Sequence, residues 1–156
     1  MQLEEEHVKQ PNPAALADEL AIHALVARYC HAIAERDDDV WAATWAADAE
    51  WRVLGQTVNG RDAILAHYRG IVSGLRLVVQ VAMNPVIEIA GEEASGRWLI
   101  SETLQANDGR PALHFGTYLD RYRRDADGAW RFARREFRSS YLGPPDLSAV
   151  PRPRVG

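Results

Sequence analysis

Four side chains in this sequence have the types and placements that proton-transfer chemistry needs: Tyr29, Glu102, His114 and Asp120. Strand alternation puts Trp98, Ile100, Glu102 and Leu104 on one face, so the Glu102 carboxylate sits among apolar neighbours, where lost hydration strengthens it as a base. A β-bulge or a surface ion pair would explain the same residue without chemistry. On the next strand His114, Gly116, Tyr118, Asp120 and Tyr122 alternate along one face, from which His114 could shuttle a proton and Asp120 could act as acid or base. The opposite face carries Leu113, Phe115 and Leu119; if helices cover that side, the polar row becomes an exposed surface or a subunit contact. Tyr29 lies on an apolar helix stripe, where its phenol could donate to a substrate oxygen in the manner of an oxyanion hole, or could be a core tyrosine with a satisfied hydroxyl.

The elements that must position these groups follow from the pattern. Asn12-Pro13 starts a helix, and Leu16, Ile22, Leu25, Val26, Tyr29 and Ile33 keep a helical period until about Arg36. Asp37 to Asp39 cap a second helix over residues 40–46, with Trp41 and Trp45 four apart on one inward face. Those two indoles form either one wall of a cavity for flat apolar ligands or ordinary core packing. Residues 50–54 and 56–58 make a short hairpin about Gly55, and a third helix covers residues 61–71. The period then becomes strand-like over residues 75–83 and 86–89, interrupted at Asn84-Pro85. Turns at Ala90-Gly91, Asn107-Asp108-Gly109 and Asp127-Gly128 separate strands at 97–104, 113–123 and 129–140. This is an α+β chain: N-terminal helices packed on a curved, mainly antiparallel sheet, together a cone-shaped barrel. Residues 1–11 read as an N-terminal arm, 12–142 as the cone domain, and 143–156 as a Pro-rich tail.

Composition narrows the function further. With 156 residues, 47% of them hydrophobic, the chain suits one domain with its own core. A formal net charge of −4, with charges interspersed, gives no footprint for nucleic acid or an acidic membrane. The single cysteine, Cys30, excludes an internal disulfide, and no Cys/His cluster has metal-ligand spacing, so no metal is expected. MQLEEEHVKQ lacks the apolar run of a signal peptide, and no stretch approaches the roughly 20 apolar residues that cross a bilayer, which suggests a cytoplasmic protein. His31 points roughly 140° away from the helix stripe, toward the surface. His23 reads as core packing, and Cys30 as a small buried apolar residue. Trp130, Phe132, Arg134, Glu136 and Arg138 share a face of the last strand if no bulge intervenes. Of Arg131, Arg134, Arg135 and Arg138, only one is expected inside.

RYCHAIAERDDDVWAATWAADAEW, the Asn-Pro break and HFGTYLDRYRRDADGAWRF together resemble the SnoaL-like branch of the nuclear-transport-factor/ketosteroid-isomerase superfamily, over about residues 21–140. The resemblance implies a cone fold, a homodimer, and a cofactor-free enzyme that moves a proton and expels a leaving group, as in scytalone dehydratase, hexachlorocyclohexane dehydrochlorinase and a bile-acid dehydratase. Other members are cyclases, isomerases, or domains that only bind or assemble. Those dehydratase-like relatives place an acid five positions after the helix tyrosine and a histidine four positions before the Asn of the break. Here those positions hold Ala34 and Gln80, neither of which takes up a proton near neutral pH. Tyr29 keeps the family position, Glu102 falls near a family His or Asp, and Asp120 falls near the acid that works with a tyrosine in ketosteroid isomerase. Gln80, Tyr118 and Arg138 are the further ligand contacts, Arg138 because relatives place an arginine near there for anionic groups. Two function classes follow: a lyase, isomerase or cyclase acting on a hydrophobic carbonyl- or hydroxyl-bearing molecule, or a non-catalytic ligand-binding or assembly module.

Overall fold

The computed structural model describes residues 12–149; the expected arm at 1–11 and the last part of the tail, 150–156, lie outside the described residues. Helix α1 (Pro13–Glu35) begins where the Asn12 side chain accepts from the Ala14 N–H at 3.1 Å, with Pro13 in the first turn, where a missing N–H costs nothing. It ends at Arg36, whose backbone turns left-handed with φ 59°. The Arg36 guanidinium then donates to the Val72 carbonyl at 2.9 Å, tying α1 to the end of α3 (Arg61–Ser73). Ile22, Leu25, Val26, Tyr29 and Ile33 are buried as the stripe requires, whereas Leu16 in the first turn is exposed.

The second helix is shorter than the sequence pattern suggests. α2 runs Asp38–Ala43, and Trp45 already belongs to strand β1 (Trp45–Val53). Pairing with the last strand overrides helix propensity here: the Phe132 N–H donates to the Thr44 carbonyl at 2.9 Å, and Trp45 sits opposite Phe132. Trp41 and Trp45 nevertheless both point into the core, their rings 5.5 Å apart.

Six strands form one open sheet in the order β2-β1-β6-β5-β4-β3, with β2 at Gln56–Asn59, β3 at Leu75–Ala90, β4 at Glu93–Ala106, β5 at Pro111–Arg124 and β6 at Trp130–Gly143. All neighbours are antiparallel except β1 and β6. The helices cover one face, giving an α+β cone whose sheet does not close into a barrel. The Asn84-Pro85 break is a bulge inside one continuous strand: Asn84 has φ 49°, and the register with β4 shifts between Met83 and Val86.

Two further bulges in β6 decide which of its residues face the helices. Tyr122 pairs with Phe132 but Arg121 with Arg134, leaving Ala133 extra; Gly116 pairs with Ser139 but Phe115 with Tyr141, leaving Ser140 extra. Because side chains alternate with a period of two, each extra residue moves everything after it to the other face. The inner face therefore reads Trp130, Phe132, then Arg135, Phe137, Ser139, then Leu142. Arg138, expected in phase with Trp130, is displaced to the outer face, where it is exposed and donates to Glu136 at 2.8 Å. Among the described residues no helix is long and apolar enough to cross a membrane.

Candidate active site

One row of side chains crosses the inner face from strand to strand. Gln80 of β3 sits opposite Glu102 of β4, Glu102 opposite His114 of β5, and His114 opposite Leu142 of β6. Directly opposed residues on one face are close enough to bond, and these do. His114 Nδ1 lies 2.9 Å from a Glu102 oxygen, and Gln80 Nε2 donates to the other Glu102 oxygen at 2.6 Å. An ionised carboxylate only accepts, so His114 Nδ1 carries the hydrogen, and Nε2 meets the Ser139 hydroxyl at 3.0 Å. Gln80 Nε2 also donates to the Tyr118 hydroxyl at 3.1 Å, which lies 3.4 Å from the Tyr29 hydroxyl. Phe137 packs edge-on against the His114 ring with centroids 4.7 Å apart, which fixes the imidazole plane. Gly116 makes room for that ring: a Cβ there would lie 2.5 Å from Phe137 Cζ.

This row opens onto a cavity of about 210 Å³. Its walls include Ile33, Val72, Val78 and Leu104 with the rings of Tyr29, Trp51, Tyr68 and Phe137; its polar groups are Gln80, Glu102, His114 and Tyr118, and among the described residues no lysine or arginine lines it. Burial pushes the Tyr29 phenol up to about 12, partly opposed by the Arg135 charge, and pushes Tyr118 well above its ordinary value. Both phenols therefore stay neutral near pH 7 and act as hydrogen-bond donors. Burial likewise raises the Cys30 thiol, whose Sγ lies 3.7 Å from the Gln80 carbonyl oxygen.

The expected site residues fall into three groups. Tyr29, Gln80, Glu102, His114 and Tyr118 meet at the cavity. Trp41 and Trp45 do not line it; they stand one layer behind, Trp41 stacked on Tyr68 at 4.0 Å and Trp45 packed on Trp51 at 5.7 Å. The aromatic wall is Trp51 and Tyr68 instead. Their signal was present in the sequence, since Tyr68 lies four residues from both Ile64 and Val72, and Trp51 alternates with Ala49 and Val53. Asp120 is also inward but sealed beneath the cavity. Its two oxygens accept from Arg135 Nε and Nη2, each at 2.8 Å, and one also accepts from the Tyr122 hydroxyl at 2.8 Å. A carboxylate so engaged is not open to a ligand, and it pairs with Arg135 rather than with Tyr29. Arg135, fully buried, is the one inward arginine of the four; Arg138, expected as a ligand contact, is not.

On the helix side, the cavity is lined by Tyr29 and Ile33 of α1, while Ala34 is exposed, a further rotation of about 100° around the helix. His31 is exposed and His23 packs edge-on against Trp98, its ring 5.2 Å away. Among the described residues no three metal-ligating side chains come together. A larger concavity, about 1110 Å³, lies against the outer face, lined by Met83, Leu99, Phe115 and Leu119 with Arg97 and Arg138. Glu136 and Arg138 form an exposed ion pair there, 2.8 Å apart.

Helices over one face of an open, mostly antiparallel sheet, with a polar row at the base of an apolar cup, define a nuclear-transport-factor-like cone. Within that class the chain belongs to the SnoaL-like domain family, whose profile matches residues 14–136. It is similar in structure to a protein of unknown function from Mycobacterium tuberculosis, at 29% identity over 86% of this chain and 83% of that one, with a TM-score of 0.73. It is also similar to a candidate scytalone dehydratase from Novosphingobium aromaticivorans, at 24% identity, 91% and 97% coverage and a TM-score of 0.79. A hexachlorocyclohexane dehydrochlorinase, LinA-type3 from Novosphingobium barchaimii, matches at 23% identity, 90% and 97% coverage and a TM-score of 0.77. No curated protein matches the chain.

Proposed function

We propose that this SnoaL-like domain is a cofactor-free lyase, isomerase or cyclase acting on a small, uncharged, hydrophobic molecule that bears a carbonyl or hydroxyl. The observation that carries the reading is the Glu102–His114 pair, 2.9 Å apart at the base of an otherwise apolar cavity. The pair takes over the task that relatives assign to an acid on α1 and a histidine at position 80. Gln80 then serves to hold the Glu102 carboxylate in place. In this scheme the Glu102–His114 unit removes a proton from the substrate, and Tyr29 and Tyr118 donate to the oxygen on which negative charge builds. Among the described residues no cationic side chain lines the cavity, which argues for a neutral substrate, and a volume of about 210 Å³ argues for one or two rings.

The homodimer expected from the family resemblance belongs to the same proposal. The outer face of β3 exposes Leu77, Val79, Val81 and Met83 in one alternating row, an apolar surface that a second copy would cover; sedimentation at several concentrations tests it.

A second reading, a binding module without turnover, is supported by the lack of any carboxylate on the α1 side of the cavity. Proton abstraction separates the two. In D₂O, neutral cyclic and aryl ketones that bind the wild-type protein should gain deuterium next to the carbonyl, and Glu102→Gln should slow that exchange by about 10²–10⁴-fold. Ligands that raise the melting temperature without gaining deuterium would favour the binding module. Unchanged exchange in both Glu102→Gln and His114→Gln would remove the assigned base.

A further inference from the structure

A buried ion pair is a poor source of net stability, since apolar residues of similar volume often serve as well or better. The Asp120–Arg135 pair is fully buried, makes no contact with the cavity, and yet is directional. The guanidinium carbon lies 3.8 Å from the centre of the Tyr118 ring and 4.4 Å from that of Tyr29, the two phenols that do reach the cavity. The carboxylate is turned the other way, toward Tyr122, whose hydroxyl it accepts at 2.8 Å. Only one edge of the guanidinium is matched by the carboxylate; Arg135 Nη1 is buried without a hydrogen-bond partner among the described residues, which leaves that part of the cation to the ring faces.

We propose that the Asp120–Arg135 pair is a fixed dipole whose positive end strengthens Tyr29 and Tyr118 as donors to an oxyanion, so that Arg135 is a positioning residue for the reaction without touching substrate. Positive charge behind a phenol ring stabilises the electron density that the hydroxyl gains when its hydrogen is drawn toward an acceptor. Both phenols are displaced upward by burial, and at both the Arg135 charge works against that displacement. The 3.4 Å contact between the two hydroxyls is long for an O–H···O bond, so a ligand oxygen competes readily for their hydrogens. The inference rests on the reading that these hydroxyls meet a substrate oxygen, and the experiment separates the two claims.

The test is binding of 4-nitrophenol, whose ionised form absorbs in the visible and whose neutral form does not, beside 4-nitrotoluene as an uncharged partner of similar shape. The wild-type protein should bind the phenolate about tenfold tighter than 4-nitrotoluene and shift the bound probe's absorbance toward the ionised form. The D120N/R135Q pair keeps amide hydrogen bonds in place of the ion pair and removes both charges. It should lose about tenfold in phenolate affinity and reverse the spectral shift, with 4-nitrotoluene affinity held within about twofold. R135K, which keeps the charge, should retain most of the preference. If the amide pair does not fold, the apolar pair D120L/R135M reads the same quantity. A charge-free pair that keeps the wild-type preference overturns the dipole inference and leaves the proposed function standing. A wild-type protein without any phenolate preference removes the oxyanion reading itself.

Discussion

Two acid–base pairs lie on the same inner face of β4, β5 and β6, and they differ in what surrounds them. Glu102–His114 is bordered by the cavity: the side chains keep 15% and 8% of their surface, and each is bonded to a polar neutral group, Gln80 or Ser139. Asp120–Arg135 keeps none of its surface, is bidentate, and is enclosed by the rings of Tyr29, Tyr118, Tyr122 and Phe132. In the proposed reaction the first arrangement leaves a proton free to move between partners and a ligand. The second locks full charges in one orientation. Accessibility and partner type, more than the identity of the acid, separate a proton carrier from a fixed field.

The largest expected effects come from breaking one half of the sealed pair. Arg135→Ala leaves a buried carboxylate without its counter-ion and should cost about 3–5 kcal/mol of stability by denaturant unfolding. Glu102→Gln keeps hydrogen-bonding capacity in a partly solvated place, and its cost should stay near 1 kcal/mol. Similar losses from both would erase the distinction between the pairs. Next in size is Gly116→Ala, which forces a methyl against Phe137 and the Arg138 carbonyl and should cost about 1–3 kcal/mol while loosening the His114 ring. The alkaline limb of stability sharpens the picture of the phenols. Tyr29 titrates at about 12 in the folded chain against 10.0 as its ordinary value. The neutral phenol is thus favoured by folding, and this contribution is complete below pH 10 and is lost as pH rises toward 12. Thermal melts across that window should fall less steeply for Tyr29→Phe than for the wild type.

Much of this arrangement was legible in the sequence. The α1 stripe, the alternation that set Glu102 among apolar neighbours on one strand and grouped His114 with Asp120 on the next, and the turns between strands all follow from local periodicity, which needs only the chain itself. Gln80 was legible only through the family resemblance; that it faces Glu102, and that Glu102 faces His114, is set by the register of β3, β4 and β5. The misplacements come from interactions that local patterns do not encode. Trp45 joined a strand because β6 offers it a parallel partner far along the chain. Trp51 and Tyr68 took the cavity wall because α3 folds back over β1 and puts Trp41 and Trp45 a layer deeper. Asp120 was readable as inward, but its partner was not, because Arg135 reaches it only through the extra residue at Ala133.

That extra residue also gives the smallest and most discriminating effect. Were Ala133 paired regularly instead of bulged, Arg138 would lie on the face of Trp130 and Phe132, and Arg135 would face outward. With the bulge, Arg138 lies exposed beside Glu136, and an exposed pair of this kind contributes about 0–1 kcal/mol. Arg138→Ala should therefore leave the melting temperature and the binding of neutral ligands in the cavity almost unchanged. Deleting Ala133 tests the same point from the other side, since Phe132, Arg134 and Arg135 then alternate without a bulge, which keeps Arg135 inward and Arg138 outward. The deletion variant should therefore cost much less stability than Arg135→Ala; a loss as large as that of Arg135→Ala would mean that the bulge itself, and not the face on which the arginine falls, holds the sealed pair together.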